Sequence, residues 1–93
     1  MHEIERYRAL TSKTERQILQ MAVVSTYGPA VDDLVAKVVP AEHREEATAA
    51  GLLGLLIALE KYDPTAGVPF EATAMHWAQY ELGRWLEALA QTS

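Results

Sequence analysis

Cysteine is absent from this 93-residue chain, which excludes a disulfide framework, a thiolate nucleophile and a Cys-rich zinc site. A reducing, cytoplasmic setting is the expectation that follows. Basic charge is scarce, with eight Lys and Arg against thirteen Asp and Glu and a formal net charge of −5. Nonspecific duplex binding draws its affinity from neutralising phosphates and releasing counterions, and this balance serves it poorly. Glycine and proline number only five and four, so neither a fibrous nor a disordered composition applies. Long apolar runs are also missing: the uncharged stretch from Ala47 to Leu59 has thirteen residues, short of the ~20 that span a bilayer, so no membrane partner is expected. The opening Met1-His2-Glu3-Ile4-Glu5-Arg6 carries acid where a secretory leader carries base followed by an apolar stretch, so export is not expected either.

What is present is the material of one folded domain. An apolar fraction of 49% with 23% charged residues is that of a globular protein, and a chain of this size buries roughly two-thirds of its unfolded surface around a single core. Residues 1–93 are therefore read as one domain, with 1–12 as a loosely packed N-terminal segment. Strand-favouring residues nowhere alternate with period two, whereas Ala, Leu, Glu and Gln are abundant throughout. The predicted fold class is all-α, a compact bundle of about four helices.

Thr11-Ser12-Lys13-Thr14-Glu15 reads as a capping box, with the Ser12 hydroxyl and the Glu15 carboxylate exchanging bonds with each other's amides. A helix follows from about Lys13, with Ile18, Leu19, Ala22 and Val23 on one face. Tyr27-Gly28-Pro29 is expected to break or sharply bend it, and helix resumes from Pro29 to Val38 on the apolar spacing of Val31, Leu34, Val35 and Val38. Val39-Pro40 ends that element. The next helix is predicted from Glu42 to Tyr62, apolar around most of its circumference and hence central, or else with one face awaiting a partner. Gly51 and Gly54 cost about 1 kcal/mol each inside a helix relative to Ala, which points to close approach of a neighbouring helix. Asp63-Pro64-Thr65-Ala66-Gly67 is turn chemistry. The last helix is predicted from Phe70 to Ala90, with Phe70, Ala74, Trp77, Ala78, Leu82, Trp85 and Leu89 along its interior.

Enzyme constellations do not assemble. His2, His43 and His76 are scattered and fit no metal-ligand spacing, so neither a metal nor another cofactor is expected. Gly51-Leu52-Leu53-Gly54 lies within a helical pattern rather than between a strand and a helix, so it is no phosphate-binding loop. Glu45 and Glu46 are adjacent and diverge on a helix, which a solvated face explains. The chain is not read as an enzyme.

The run from Glu45 to Ala74 carries the strongest signal. It closely resembles region 2 of bacterial sigma factors, in which a helix of the form D-L-x-Q-x-G-x-x-G-L leads through A-x-x-[KR]-[FY]-D-P-x-x-G into F-[SE]-T-[YF]-A and a second helix. Gly51, Gly54, Leu55, Ala58, Tyr62, Asp63, Pro64, Gly67, Phe70 and Ala74 stand where that pattern wants them, ten agreements without a gap over thirty residues. Pro40 followed by acidic residues is similar to the flagellar-type branch, and Tyr27-Gly28-Pro29-Ala30-Val31 resembles the first helix of the region more weakly. The likeness covers about two-thirds of the chain.

The resemblance implies a helical domain whose glycine-bearing helix docks on the clamp coiled coil of RNA polymerase while the following helix opens and reads the promoter −10 element. Family positions for DNA fall on Phe70, Thr73, His76, Trp77, Tyr80 and Arg84; those for polymerase or another partner fall on Glu46, Ala49, Ala50, Leu52, Leu53 and Leu56. Departures accompany the agreements. The clamp-facing positions are polar in the family, and of Glu46, Ala49, Ala50 and Leu52 only Glu46 keeps that character, so apolar contact must replace hydrogen bonds. On the DNA side a tyrosine has become Thr73 and one of two tryptophans has become His76. From Tyr62 to Ser93 the only base is Arg84, against Asp63, Glu71, Glu81 and Glu87, so promoter DNA is expected to bind weakly to this chain alone.

Plainer readings stand beside these. Trp77, Trp85 and Phe70 also read as core residues, His76 as a solvated side chain, and the glycines as packing residues. Arg6, Arg8, Lys13 and Arg16 are interleaved with Glu3, Glu5 and Glu15 and read as a solvated face. Two functions are carried forward. One is a sigma-like transcription factor bound to RNA polymerase core, with a second regulatory polypeptide supplying further DNA contacts. The other is a protein-interaction module of degenerate sigma fold that binds another regulator or polymerase subunit without touching the promoter.

Overall fold

The computed structural model describes residues 13–92, and every regular element among them is helical. Helix α1 spans Lys13–Val38, α2 spans Arg44–Lys61 and α3 spans Phe70–Thr92; short 3-10 turns at Ala41–His43 and Pro64–Ala66 lead into α2 and follow it. The all-α expectation holds, but the described residues form three α-helices rather than four. The capping box read at Ser12 depends on a residue outside the described range, as does the expectation for residues 1–12.

The difference in helix number arises at Gly28-Pro29, where α1 continues without a break. Proline's fixed φ is already helical, so its cost is one lost N–H bond and ring crowding, about 3 kcal/mol. Val23 and Gly28 before the proline and Val31 and Val35 after it are all buried. That continuous apolar seam against α2 holds both halves as one helix, while Pro29 itself faces solvent.

Val39 and Pro40 end α1 as predicted, and α2 supplies the stop. The Arg44 guanidinium donates from Nε to the Val39 carbonyl at 2.9 Å and from Nη2 to the Ala36 carbonyl at 3.4 Å, satisfying acceptors that a helix end leaves open. Glu45 and Glu46 follow in the first turn of α2, at the positive end of its dipole.

Helix α2 is the centre of the molecule, packed between α1 and α3, which touch each other little. Its two glycines make both contacts possible. A Cβ on Gly51 would come within 2.5 Å of Val31 Cγ1 in α1, and a Cβ on Gly54 would overlap the backbone of Trp77 and Ala78 in α3. The close approach read from the sequence is thus found on both sides of one helix. Ala47, Leu55, Ala58 and Leu59 fill the space between with Val31, Val35, Phe70, Ala74, Ala78 and Leu82.

The connection to α3 is tied internally. Asp63 accepts bonds from the Thr65 amide at 2.9 Å and the Thr65 hydroxyl at 2.6 Å, and Gly67 takes a positive φ of 77° that a side chain would strain. The Tyr62 hydroxyl donates to the Val68 carbonyl at 2.8 Å. Its ring meets Phe70 edge-on at 5.3 Å, and Tyr27 of α1 meets the same ring at 5.6 Å. Along α3 the expected interior stripe is present, with Phe70, Ala74, Ala78 and Leu82 buried and Trp77, Trp85 and Leu89 half-buried. Ile18, expected on the packed face of α1, is instead 59% exposed.

Candidate nucleic-acid and partner interfaces

Helical spacing places Thr73, His76, Trp77, Tyr80 and Arg84 on one face of α3, since steps of three, four and seven residues return to the same side. The aromatic rings on that face touch one another. His76 and Trp77 meet with centroids 5.6 Å apart and Trp77 and Tyr80 at 5.5 Å, both edge-to-face. His76 and Tyr80 are exposed, while Thr73 and Trp77 are half-buried. The Lys61 ammonium, from the end of α2, stands 5.6 Å over the Trp77 ring, within cation–π range. One face of Trp77 is therefore covered, and His76 and Tyr80 are the more exposed rings of the three.

Phe70 does not belong to this surface. It is 1% exposed and wedged between Tyr27 and Tyr62, the core anchor among the alternatives read from the sequence. Trp85 also turns away from the ladder, toward His43 at 6.2 Å, and so ties α3 to the corner before α2.

Charge around the ladder is mixed. Arg84 is largely exposed and donates to the Glu81 carboxylate at 3.4 Å. Glu81 itself is buried at 8% exposure, an acid inside the apolar seam that the sequence reading did not anticipate; the Arg84 contact offsets part of its desolvation. Glu87 continues the same face one turn beyond Arg84 and is exposed. The face thus presents exposed aromatic rings with little positive charge, a poor match to a run of phosphates.

The six partner residues of α2 divide between two surfaces. Glu46, Ala49, Ala50 and Leu53 recur at three- and four-residue steps along its outer face, where Leu53 is 50% exposed. Leu52 and Leu56 are half-buried and lean toward α1: Leu52 reaches Gly28, and Leu56 lines a groove with Met21 and Val24. An ion pair between Arg16 and Glu60 at 2.9 Å closes the far end of that contact.

Lys61 was missed by the sequence reading. It lies sixteen residues from Trp77 across a turn, and the basic position of the [KR]-[FY]-D-P signature is the one signal that could have pointed to it. Among the described residues no group of three His, Asp or Glu side chains is placed to hold a metal ion, and no helix is long and apolar enough to cross a membrane. Comparison of the chain with protein-family models, curated proteins and solved structures finds no match in any of the three.

Proposed function

We propose that this chain is a sigma-like transcription factor that associates with bacterial RNA polymerase and supports initiation at particular promoters, with a second polypeptide supplying further DNA contacts. The observation that carries the reading is the joint behaviour of the thirty-residue pattern. Its glycines are the residues that let α2 pack closely on two neighbours, and just beyond its end at Ala74 the rings of His76, Trp77 and Tyr80 gather on one face of α3. Polymerase would meet the outer face of α2 at Glu46, Ala49, Ala50 and Leu53, and a melted base would meet His76 and Tyr80.

The test is retention of purified polymerase core and of its separate subunits on the immobilised chain. Retention that falls with Leu53→Asp supports the reading, and a column that holds no polymerase subunit counts against it. Leu53 is the better probe than Leu52, because its side chain is the more exposed and its replacement leaves the contact with Gly28 intact.

A second reading, a partner-binding module without promoter contact, is favoured by one feature: Arg84, the one Lys or Arg of α3, is drawn to the Glu81 carboxylate, and exposed Glu87 follows it on the same face. The two respond differently to salt and substitution. Promoter contact weakens with ionic strength and with Tyr80→Ala or Arg84→Ala, whereas an apolar protein interface responds to Leu53→Asp and little to salt.

A further inference from the structure

We propose that buried Glu81 is a positioning residue that withholds Arg84 from nucleic-acid phosphate and leaves contact with an unpaired strand to the exposed rings of α3. Glu81 is the one charged residue that the fold buries among the described residues, at 8% exposure. It lies on α3 between Trp77 and Trp85, four residues to either side and both half-buried. Its neighbours on the buried side of the helix, Ala78 and Leu82, are apolar. A carboxylate in such surroundings is costly unless a counter-charge and a hydrogen bond reach it.

Arg84 supplies both. Its Nη1 donates to Glu81 Oε1 at 3.4 Å across one helical turn, and the two ends of this bond differ in access to water, the Arg84 side chain being 64% exposed and that of Glu81 only 9%. The inequality decides which residue controls the other. Water can solvate the guanidinium whether or not it is paired, whereas a carboxylate so enclosed loses its counter-charge when Arg84 leaves. Transfer of Arg84 to a phosphate therefore carries the cost of a buried unpaired acid, which transfer of an ordinary surface arginine does not.

Glu87 provides the comparison within the same helix. It stands three residues beyond Arg84 as Glu81 stands three before it, but it is exposed. Exposed ion pairs at this spacing are weak and screened by salt, so Glu87 lowers the local potential without holding the guanidinium. From Tyr62 to Ser93 Arg84 is the only Lys or Arg, so Glu81 neutralises the whole fixed positive charge of that stretch.

This role rests on the reading of α3 as a nucleic-acid surface, and two measurements keep the two apart. The first is anisotropy of a fluorescein-labelled single strand of about 12 nucleotides titrated with the full chain over a range of salt. Glu81→Gln, neutral and nearly isosteric, is expected to tighten binding roughly 5- to 10-fold at ~50 mM salt and to steepen the fall of log affinity with log salt by about 0.7, the effect of one added phosphate contact. Glu81→Met, also uncharged and of similar length, should reproduce the gain, so loss of fold in one variant does not end the test. Glu87→Gln removes the same unit of charge and is expected to tighten binding by at most ~2-fold. In an Arg84→Ala background, Glu81→Gln should do no more than Glu87→Gln, a dependence that a merely structural Glu81 would not produce. The second measurement is nitrogen-15 NMR of the Arg84 guanidinium, whose rotation about the Nε–Cζ bond is expected to be slower in the parent than in Glu81→Gln. Equal rotation in the two, no gain with Glu81→Gln, or a gain that Glu87→Gln matches or that persists without Arg84 would each overturn the role of Glu81 and leave the nucleic-acid reading standing. Slow rotation in the parent with no strand bound by any variant would overturn the nucleic-acid reading, and the role of Glu81 with it.

Discussion

Gly54 of α2 lies against Ala78 of α3 so closely that a methyl group on Gly54 would sit 2.5 Å from the Ala78 Cα. The obstacle is backbone and cannot rotate away. Gly54→Ala, which in an open helix gains about 1 kcal/mol of propensity, is here expected to lose about 1–3 kcal/mol net as α3 is pushed off. Thermal unfolding checks it, at roughly 4–8 °C of Tm per kcal/mol for a domain of this size. An unchanged or raised Tm would mean that α2 and α3 do not cross at Gly54.

Gly51 and Gly83 provide the controls. At Gly51 the obstacle is the Val31 side chain, so Gly51→Ala should also destabilise, and combination with Val31→Ala should be less harmful than the sum of the two. At Gly83 an added Cβ meets nothing within 4 Å, and Gly83→Ala is expected to stabilise by about 0.5–1 kcal/mol. A double-mutant cycle followed by denaturant unfolding separates the three cases.

Pro29 stands exposed inside a helix that continues past it. Pro29→Ala restores one N–H bond and removes ring crowding, so it should raise stability by up to about 3 kcal/mol. A loss of stability would instead indicate a chain that needs a break there, as the sequence alone suggests.

That residue also shows where sequence reasoning runs out. Local signals at Tyr27-Gly28-Pro29 all favour interruption, and what overrides them is the burial of Val23, Gly28, Val31 and Val35 along one seam, a tertiary effect that no local window contains. Where local and tertiary demands agree, the reading succeeds: Asp63 and Gly67 form the turn that their chemistry favours, and Gly51 and Gly54 mark helix crossings. The candidate site was legible to the extent that it lies on one helix, because periodicity puts Thr73, His76, Trp77, Tyr80 and Arg84 on one face. Lys61 over Trp77 and buried Glu81 were not legible, since both depend on how α2 and α3 cross.

The junction between α2 and α3 should be sensitive to its aromatic packing. Phe70→Ala removes a fully buried ring that touches both Tyr27 and Tyr62, and a loss of about 3–5 kcal/mol is expected. Tyr62→Phe removes only the hydroxyl bond to Val68 and should cost about 0.5–1.5 kcal/mol. Equal effects of the two changes would contradict the assignment of Phe70 as the anchor.

On the exposed face of α3, Tyr80→Ala should leave folding and polymerase retention intact while reducing promoter opening. A base–aromatic stack is worth about 1–3 kcal/mol, so a drop of roughly 5- to 150-fold in open-complex formation is expected. Permanganate reactivity of unpaired thymines reports it. No change on Tyr80→Ala and His76→Ala together would favour the partner-binding reading.

The central claim is association with polymerase, and equilibrium titration of the labelled chain against the isolated clamp coiled coil tests it most directly. Saturable binding that also appears with polymerase core, is lost with Leu53→Asp and survives Arg84→Ala is the predicted result. Absence of binding to both the clamp fragment and the core would contradict it.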